Sequence, residues 1–374
     1  MARASLDLSY STVVKEGYGS NLFQSSFFGL NAAINIANAS TAVIKNSNIT
    51  VHNGAANVYA FGTGTEAYVY DTSLYSSGPI SHGLYASGNG TIYGYNIQHY
   101  SGGNRASSFS GDSPAGYIHV FDSVAHTAGV GSAICYTLGE CHMTNVIGHA
   151  EKAPVLFADG IQLATLNNVD LTSDFLAGTI FFSSATREAG AYLLLNESRL
   201  TVTAQDQPAM WWGNTIASAE IISSEINTAS GILVLANRSQ VTQDFDYFAG
   251  YEQNSDIESA EVIISVSESH LSGDIVAYNG SSISWSLSDY STWTGSAYVV
   301  AGPAYLEVAL DATSNWTLTK DTTLMNFTNA DTTLSNVQSN GYTISYVSNS
   351  TANAWLKGNK VDLPGGGCLE PVDA

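Results

Sequence analysis

The residues that could do chemistry are few, and their spacing excludes most of the familiar arrangements. His52, His82, His99, His119, His126, His142, His149 and His270 form no HxH or HExxH pattern, and no Cys-x-x-Cys accompanies them, so no metal site is expected. No GxSxG elbow is present, and Ser132 in Gly129-Val-Gly-Ser-Ala133 reads as a turn residue rather than a nucleophile. A P-loop is missing, as is a GxGxxG placed between strand and helix, and no cofactor is expected. Asp244 and Asp246 flank Phe245 in an acidic, aromatic stretch, but no Lys or Arg stands beside them to complete a lyase-type base. Arg105 is one of 11 Lys and Arg residues in the chain and precedes Phe109 by four positions. It reads either as a solvated surface residue or as a polarising group at the edge of an aromatic site.

Three cysteines, Cys135, Cys141 and Cys368, leave an odd thiol. A bridge between Cys135 and Cys141 would close a short turn carrying Gly139, and three reduced thiols are the other reading.

Charge narrows the partners. Against those 11 cations stand 32 carboxylates, a formal net charge of −21 over 374 residues. Such a chain repels a phosphate backbone and an anionic membrane surface alike, so neither nucleic acid nor membrane is expected as a partner. No apolar run of about 18 residues is available to span a bilayer. Asn-x-Ser/Thr sequons at Asn38, Asn48, Asn89, Asn196, Asn237, Asn279, Asn315, Asn326 and Asn349 point to the secretory pathway and N-glycosylation, although a chain this rich in Asn, Ser and Thr also makes sequons by chance. No charged-then-apolar leader begins at Met1, so secretion implies that a signal peptide has been removed. Nothing in the sequence sets an oligomeric state.

The elements that must position any site follow from a repeat. An Asp, Asn, Ser or Glu, a small or polar residue and then an apolar residue recur at Ser47-Asn48-Ile49, Thr72-Ser73-Leu74, Tyr95-Asn96-Ile97, Asp122-Ser123-Val124, Thr144-Asn145-Val146, Asn167-Asn168-Val169 and Ser224-Glu225-Ile226. The period of roughly two dozen residues is that of a solenoid. Between the anchors lie short alternating β runs bounded by Gly, Asn or Asp, without a helical pattern. One such run cannot bury its own apolar face; stacked coils about 4.8 Å apart can. The sequence therefore predicts an all-β, single-domain, right-handed parallel β-helix of the pectin-lyase-like kind over residues 1–363. A loop insertion is expected near 238–262 and a loose tail over 364–374. A propeller would need a longer period and its signature dipeptides, which are absent.

Aligned by their midpoints, the coils place aromatics in one column: Tyr85, Phe109, Tyr136, Phe157, Phe182 and Trp212. The column reads as stacked core if it points inward. If part of it points outward, Phe181, Trp211 or their neighbours floor an apolar site. Trp211-Trp212 bears on this, because adjacent strand residues face opposite sides.

The stretch Asn89-Gly-Thr-Ile-Tyr-Gly-Tyr-Asn-Ile-Gln-His-Tyr-Ser-Gly-Gly-Asn-Arg-Ala-Ser-Ser-Phe109, with His126-Thr-Ala-Gly-Val-Gly-Ser-Ala133 and Ala153-Pro-Val-Leu-Phe-Ala-Asp-Gly160, resembles a family of fungal secretory β-helix proteins, related to adhesin-like β-helices. The likeness runs from about residue 25 to 300 and rests on coil phrases. Some members look like hetero-Diels-Alderases of tropolone-sesquiterpene biosynthesis, which join a quinone methide to a terpene alkene. The resemblance implies a cofactor-independent cycloaddition of small hydrophobic substrates. On that reading Phe109, Phe157, Phe182, Trp211 and Trp212 bind substrate, and Arg105, with His126 or Tyr136, polarises the carbonyl. Those roles come from the column alignment, since no family motif carries them. Two other functions fit the same coils: a non-catalytic surface protein binding glycan or protein through rows of Tyr, Asn and Thr, and a polysaccharide lyase or hydrolase with two carboxylates about 5–10 Å apart.

Overall fold

The computed structural model describes residues 3–17, 21–184, 186–238, 256–278 and 280–373. The alternation expected from the sequence closes into a right-handed parallel β-solenoid of about 13 turns, a single all-β domain. An 18-stranded sheet wraps two of its faces and an 11-stranded sheet forms the third. Long strands such as Glu66–Ser77, Thr91–Ser101 and Gly116–Thr127 run through both faces of the wide sheet. Each bends at one residue in the left-handed region, Asp71 (φ 49°), Asn96 (φ 53°) and Asp122 (φ 51°) respectively. Asn and Asp tolerate that conformation better than other side-chain-bearing residues, which is why they stand at these bends. Their side chains also ladder between turns, Asn96 Nδ2 donating to Asp71 Oδ1 at 2.8 Å and Asn145 Nδ2 to Asp122 Oδ1 at 2.7 Å.

A hydroxyl directly after many of the bends, as at Ser123, Ser198 and Ser224, is a second device. Ser198 Oγ donates to the carbonyl of Asn196 at 2.6 Å and accepts the amide of Val169 from the turn below at 3.0 Å. Ser224 repeats this, donating to Ile222 O at 2.7 Å and accepting from Ser198 N at 3.1 Å. Backbone groups that the bend takes out of the ladder thus find partners without water.

The interior is a continuous apolar core running from Ile34 to Leu369. Register corrects one detail of the sequence repeat. Ile49 stacks on Leu74, and Leu74 on His99 rather than on Ile97. Val124 pairs with Ile147 on the outside and is half exposed, while Ala125 takes the buried place. Counting from the apolar anchor misaligned the coils because Leu74 follows its bend at Asp71 by three residues, Val124 follows Asp122 by two and Ile97 follows Asn96 by one.

At the C-terminal end Thr322–Leu324, Thr343–Val347, Cys368–Val372 and Val361–Asp362 make a four-stranded sheet. Residues 364–373, expected as a loose tail, are therefore part of a cap: Cys368–Val372 pairs parallel with Thr343–Val347 and antiparallel with Val361–Asp362. Of the insertion expected near 238–262, residues 239–255 lie outside the described residues, as do Asp244 and Asp246, and the coil has resumed by the strand Glu261–Ser267. Cys135 and Cys141 are bridged, both inside the core; Cys368 is free and half-buried.

Candidate functional site

The strands of the 11-stranded sheet set the geometry. Tyr85 pairs with Ser110, Ser110 with Tyr136, Tyr136 with Phe157, Phe157 with Ile180, and Ile180 with Trp211. These side chains form one file on the outer face. The neighbouring inward positions carry Phe109, Phe181 and Trp212, all fully buried in the core. The single aromatic column read from the sequence is therefore two files. Phe109 and Trp212 belong to the interior and cannot touch a substrate on the outer face. The midpoint alignment was one residue out at Phe109 and Trp212, and a slip of one residue reverses the face.

Outside the cylinder the structure gathers Tyr136, Phe157, Ile180 and Phe182 with Ala133 and Ala177 into a separate apolar cluster, with Trp211, Val130, Leu138 and Leu176 packed half-buried around it. Ring centroids lie 5.9 Å apart between Tyr136 and Phe157 and 5.2 Å between Phe157 and Phe182. Three of the five aromatics assigned to substrate, Phe157, Phe182 and Trp211, thus share this band with Tyr136. Arg105 sits half-buried in the turn leading to the third sheet, at φ 53°. His126 lies around the corner on the wide sheet, stacked on His149 at 5.0 Å and paired with Glu151 at 2.7 Å. The proposed polarising trio is not gathered in one place: Tyr136 is in the band, Arg105 at its approach, His126 on another face.

The structure adds residues that the sequence reading missed. Two positions along from Ser110 and Phe157, on the same outer face, stand Asp112 and Asp159, both buried. Tyr85 donates its hydroxyl to Asp112 Oδ2 at 2.5 Å and the Ser113 amide donates to Oδ1 at 2.6 Å. Burial outweighs these bonds and raises the Asp112 carboxyl above its usual range. Asp159 Oδ1 accepts the Ser184 amide at 2.7 Å. Burial, with Glu188 and Asp112 nearby, pushes its pKa up to about 6 despite hydrogen bonds from both the amide and the hydroxyl of Ser184. The carboxyls stand two rungs apart, about 10 Å at the inter-strand spacing. A polar flank extends the face: His82 Nδ1 meets Ser110 Oγ at 2.9 Å, and burial lowers its pKa to about 3, so it is neutral. The signal available in the sequence was a carboxylate inside an otherwise apolar strand, Val155-Leu-Phe-Ala-Asp159, whose side could not be known without the register.

An open groove of about 890 Å³ lies elsewhere, along the bend of the wide sheet. Asn145, Asn168, Ser223, Asn227 and Glu268 line it, and Arg199 bridges Asp170 at 3.5 Å and Glu225 at 3.1 Å within it. Among the described residues that line it there is no Trp, Tyr or Phe. No group of three or more His, Cys, Asp or Glu suited to a metal ion occurs among the described residues.

Fold and site together define a parallel β-helix protein with a walled aromatic band and protonatable carboxyls on the outer face of one sheet. Comparison of the chain with family models, with curated proteins and with solved structures finds no match.

Proposed function

We propose that this protein is a cofactor-independent pericyclase that joins an oxygen-bearing heterodiene to an apolar alkene, the quinone methide and sesquiterpene of the resemblance being the substrates to try. The observation that carries the reading is the outward band of Tyr136, Phe157, Ile180, Phe182 and Trp211, apolar side chains that the interior does not use. A cycloaddition needs no nucleophile and no metal. It needs two partners held in a reactive pose, which contributes about 7–11 kcal/mol, and a hydrogen-bond donor at the oxygen that gains electron density. Rings at fixed stacking distances suit the first requirement. Val130, Leu138 and Leu176 at the rim are half-buried, so entry of a substrate requires them to part. Secretion with N-glycosylation belongs to the same proposal.

The test supplies the heterodiene precursor and the alkene with and without protein. Acceleration with a single product enantiomer, reduced at least tenfold by Trp211→Ala and little affected by His126→Ala, is the expected result. Racemic product at an unchanged rate sinks the reading.

A second reading has its own support. The polar groove on the wide sheet, rich in Asn, Ser and carboxylates, fits a non-catalytic protein that binds glycan or another protein there. Arg199→Ala and Asn168→Ala would then weaken glycan capture and leave any chemistry untouched.

A further inference from the structure

The two ends of the solenoid are finished differently. At the C-terminal end the outermost strand of the cap, Val361–Asp362, is antiparallel and two residues long, which leaves little edge to pair with. The N-terminal end has no such finish among the described residues. There Ser5–Ser9 and Thr12–Glu16, five residues each, flank the corner at Tyr10 and Ser11 and pair only with the second turn, through Thr41–Lys45 and Asn48–His52. Thr41 N donates to Ala4 O, Tyr10 N to Lys45 O and Asn48 N to Ser11 O, so Leu6, Leu8, Val13 and Lys15 turn their backbone groups to that second turn. The N–H and C=O of Ser5, Asp7, Ser9, Thr12, Val14 and Glu16 therefore lie on the free edge. Register sets Leu6 and Leu8 under Ala42 and Ile44, and Val13 and Lys15 under Ile49 and Val51, on the core side. Leu6 is nonetheless 42 % exposed, so apolar core shows at this end.

Charge decides what can cover it. Residues 1–65 hold Arg3, Lys15 and Lys45 against Asp7 and Glu16, a net of +1; with −21 for the whole chain, residues 66–374 carry −22. Two copies that repel one another through the rest of their surface can meet here. We propose that the N-terminal rung docks on the same rung of a second copy, head to head about a two-fold axis through the Tyr10–Ser11 corner. In that register the edge is self-complementary. Ser5 faces the partner's Glu16, Asp7 the partner's Val14 and Ser9 the partner's Thr12, each pair exchanging two N–H···O bonds as antiparallel strands do. Leu6 meets the partner's Lys15 and Leu8 the partner's Val13 on the core side. The Lys15 ammonium is already drawn to the carbonyls of Glu16 and Gly17, which leaves its methylenes for that contact. The Ser9 carbonyl takes the Ser11 hydroxyl at 3.0 Å, so the pair nearest the corner adds least. No like charges oppose one another, whereas pairing Ser5–Ser9 with its own copy would set Asp7 against Asp7. The inference is independent of the aromatic band.

Sedimentation equilibrium of the full-length chain between about 1 and 100 µM should show the mass doubling and rising no further. Val14→Asp, which sets an acid against the partner's Asp7, should weaken the dimer at least about tenfold, and Val14→Lys should not weaken it. Ser73→Asp, the same added charge two rungs inward on the same face, should leave it unaltered. Asp7→Cys and Val14→Cys, each combined with Cys368→Ser, read the register directly. Oxidised as a mixture they should give a crosslinked dimer, and oxidised separately neither should. A chain that stays monomeric over this range overturns the proposal, and so does a dimer indifferent to Val14→Asp, a crosslink formed by Asp7→Cys alone, or growth beyond two copies.

Discussion

Asp159 titrates in a way that stability can report without any substrate. Its folded-state pKa is raised from 3.8 to about 6 by burial, so between those values the native state keeps a proton that the unfolded chain releases. Stability contributed by the neutral acid is therefore present in full at low pH and is lost as pH rises through about 6. At 1.36 kcal/mol per unit the loss is about 3 kcal/mol. Urea unfolding of wild type and Asp159→Asn should show the variant gaining relative stability from pH 4 to pH 7 by up to that amount. A constant difference would mean that the carboxyl does not change state. Asp112 shifts in the same direction, so the comparison must be made between the two proteins rather than along one curve.

Within the elements, side is everything. Trp211 and Trp212 are neighbours on one strand, yet one packs on the outer band and the other stacks on Phe181 at 4.5 Å inside the core. Trp212→Ala should cost about 3–5 kcal/mol of stability, the usual range for emptying a buried aromatic site. Trp211→Ala should cost about 1–2 kcal/mol and act chiefly on binding, because its ring is only partly removed from water. Denaturant midpoints measured side by side check this, and equal losses would contradict the assigned faces. The serine after such a bend follows the same logic of position. Ser224 is conspicuous only because Ile222 O and Ser198 N need a partner where the strand turns.

For the whole molecule, the excess of carboxylates and the sequons bear on environment. Asn38, Asn48, Asn315 and Asn349 are exposed, whereas Asn89, Asn196, Asn237 and Asn326 are half-buried and Asn279 lies outside the described residues. The amide of Asn196 donates to Asn167 at 3.2 Å and that of Asn326 to Glu307, so neither is free for transfer of a glycan. Expressed through a eukaryotic secretory pathway, the chain should carry glycan at the exposed four and little at Asn196 and Asn326, which peptide mass mapping will read. Absence of glycan from all of them would remove the compartment from the proposal.

The solenoid was legible because its cause is local and repeated. Apolar alternation recurs from coil to coil, and with it a left-handed bend residue, most often Asn or Asp, and at many bends a short hydroxyl residue; stacking is what satisfies them together. The short bridge between Cys135 and Cys141 was legible as one of two options for the same reason of nearness. The face of each aromatic was not. A strand alternates sides with every residue, so a slip of one position, as at Phe109 and at Trp212, moves a ring from solvent to core, and only the hydrogen-bond register between turns decides it. The meeting of Asp112, Asp159 and Phe182 on one surface likewise depended on how coils of unequal length stack, a property of neighbouring turns that no single stretch of chain contains.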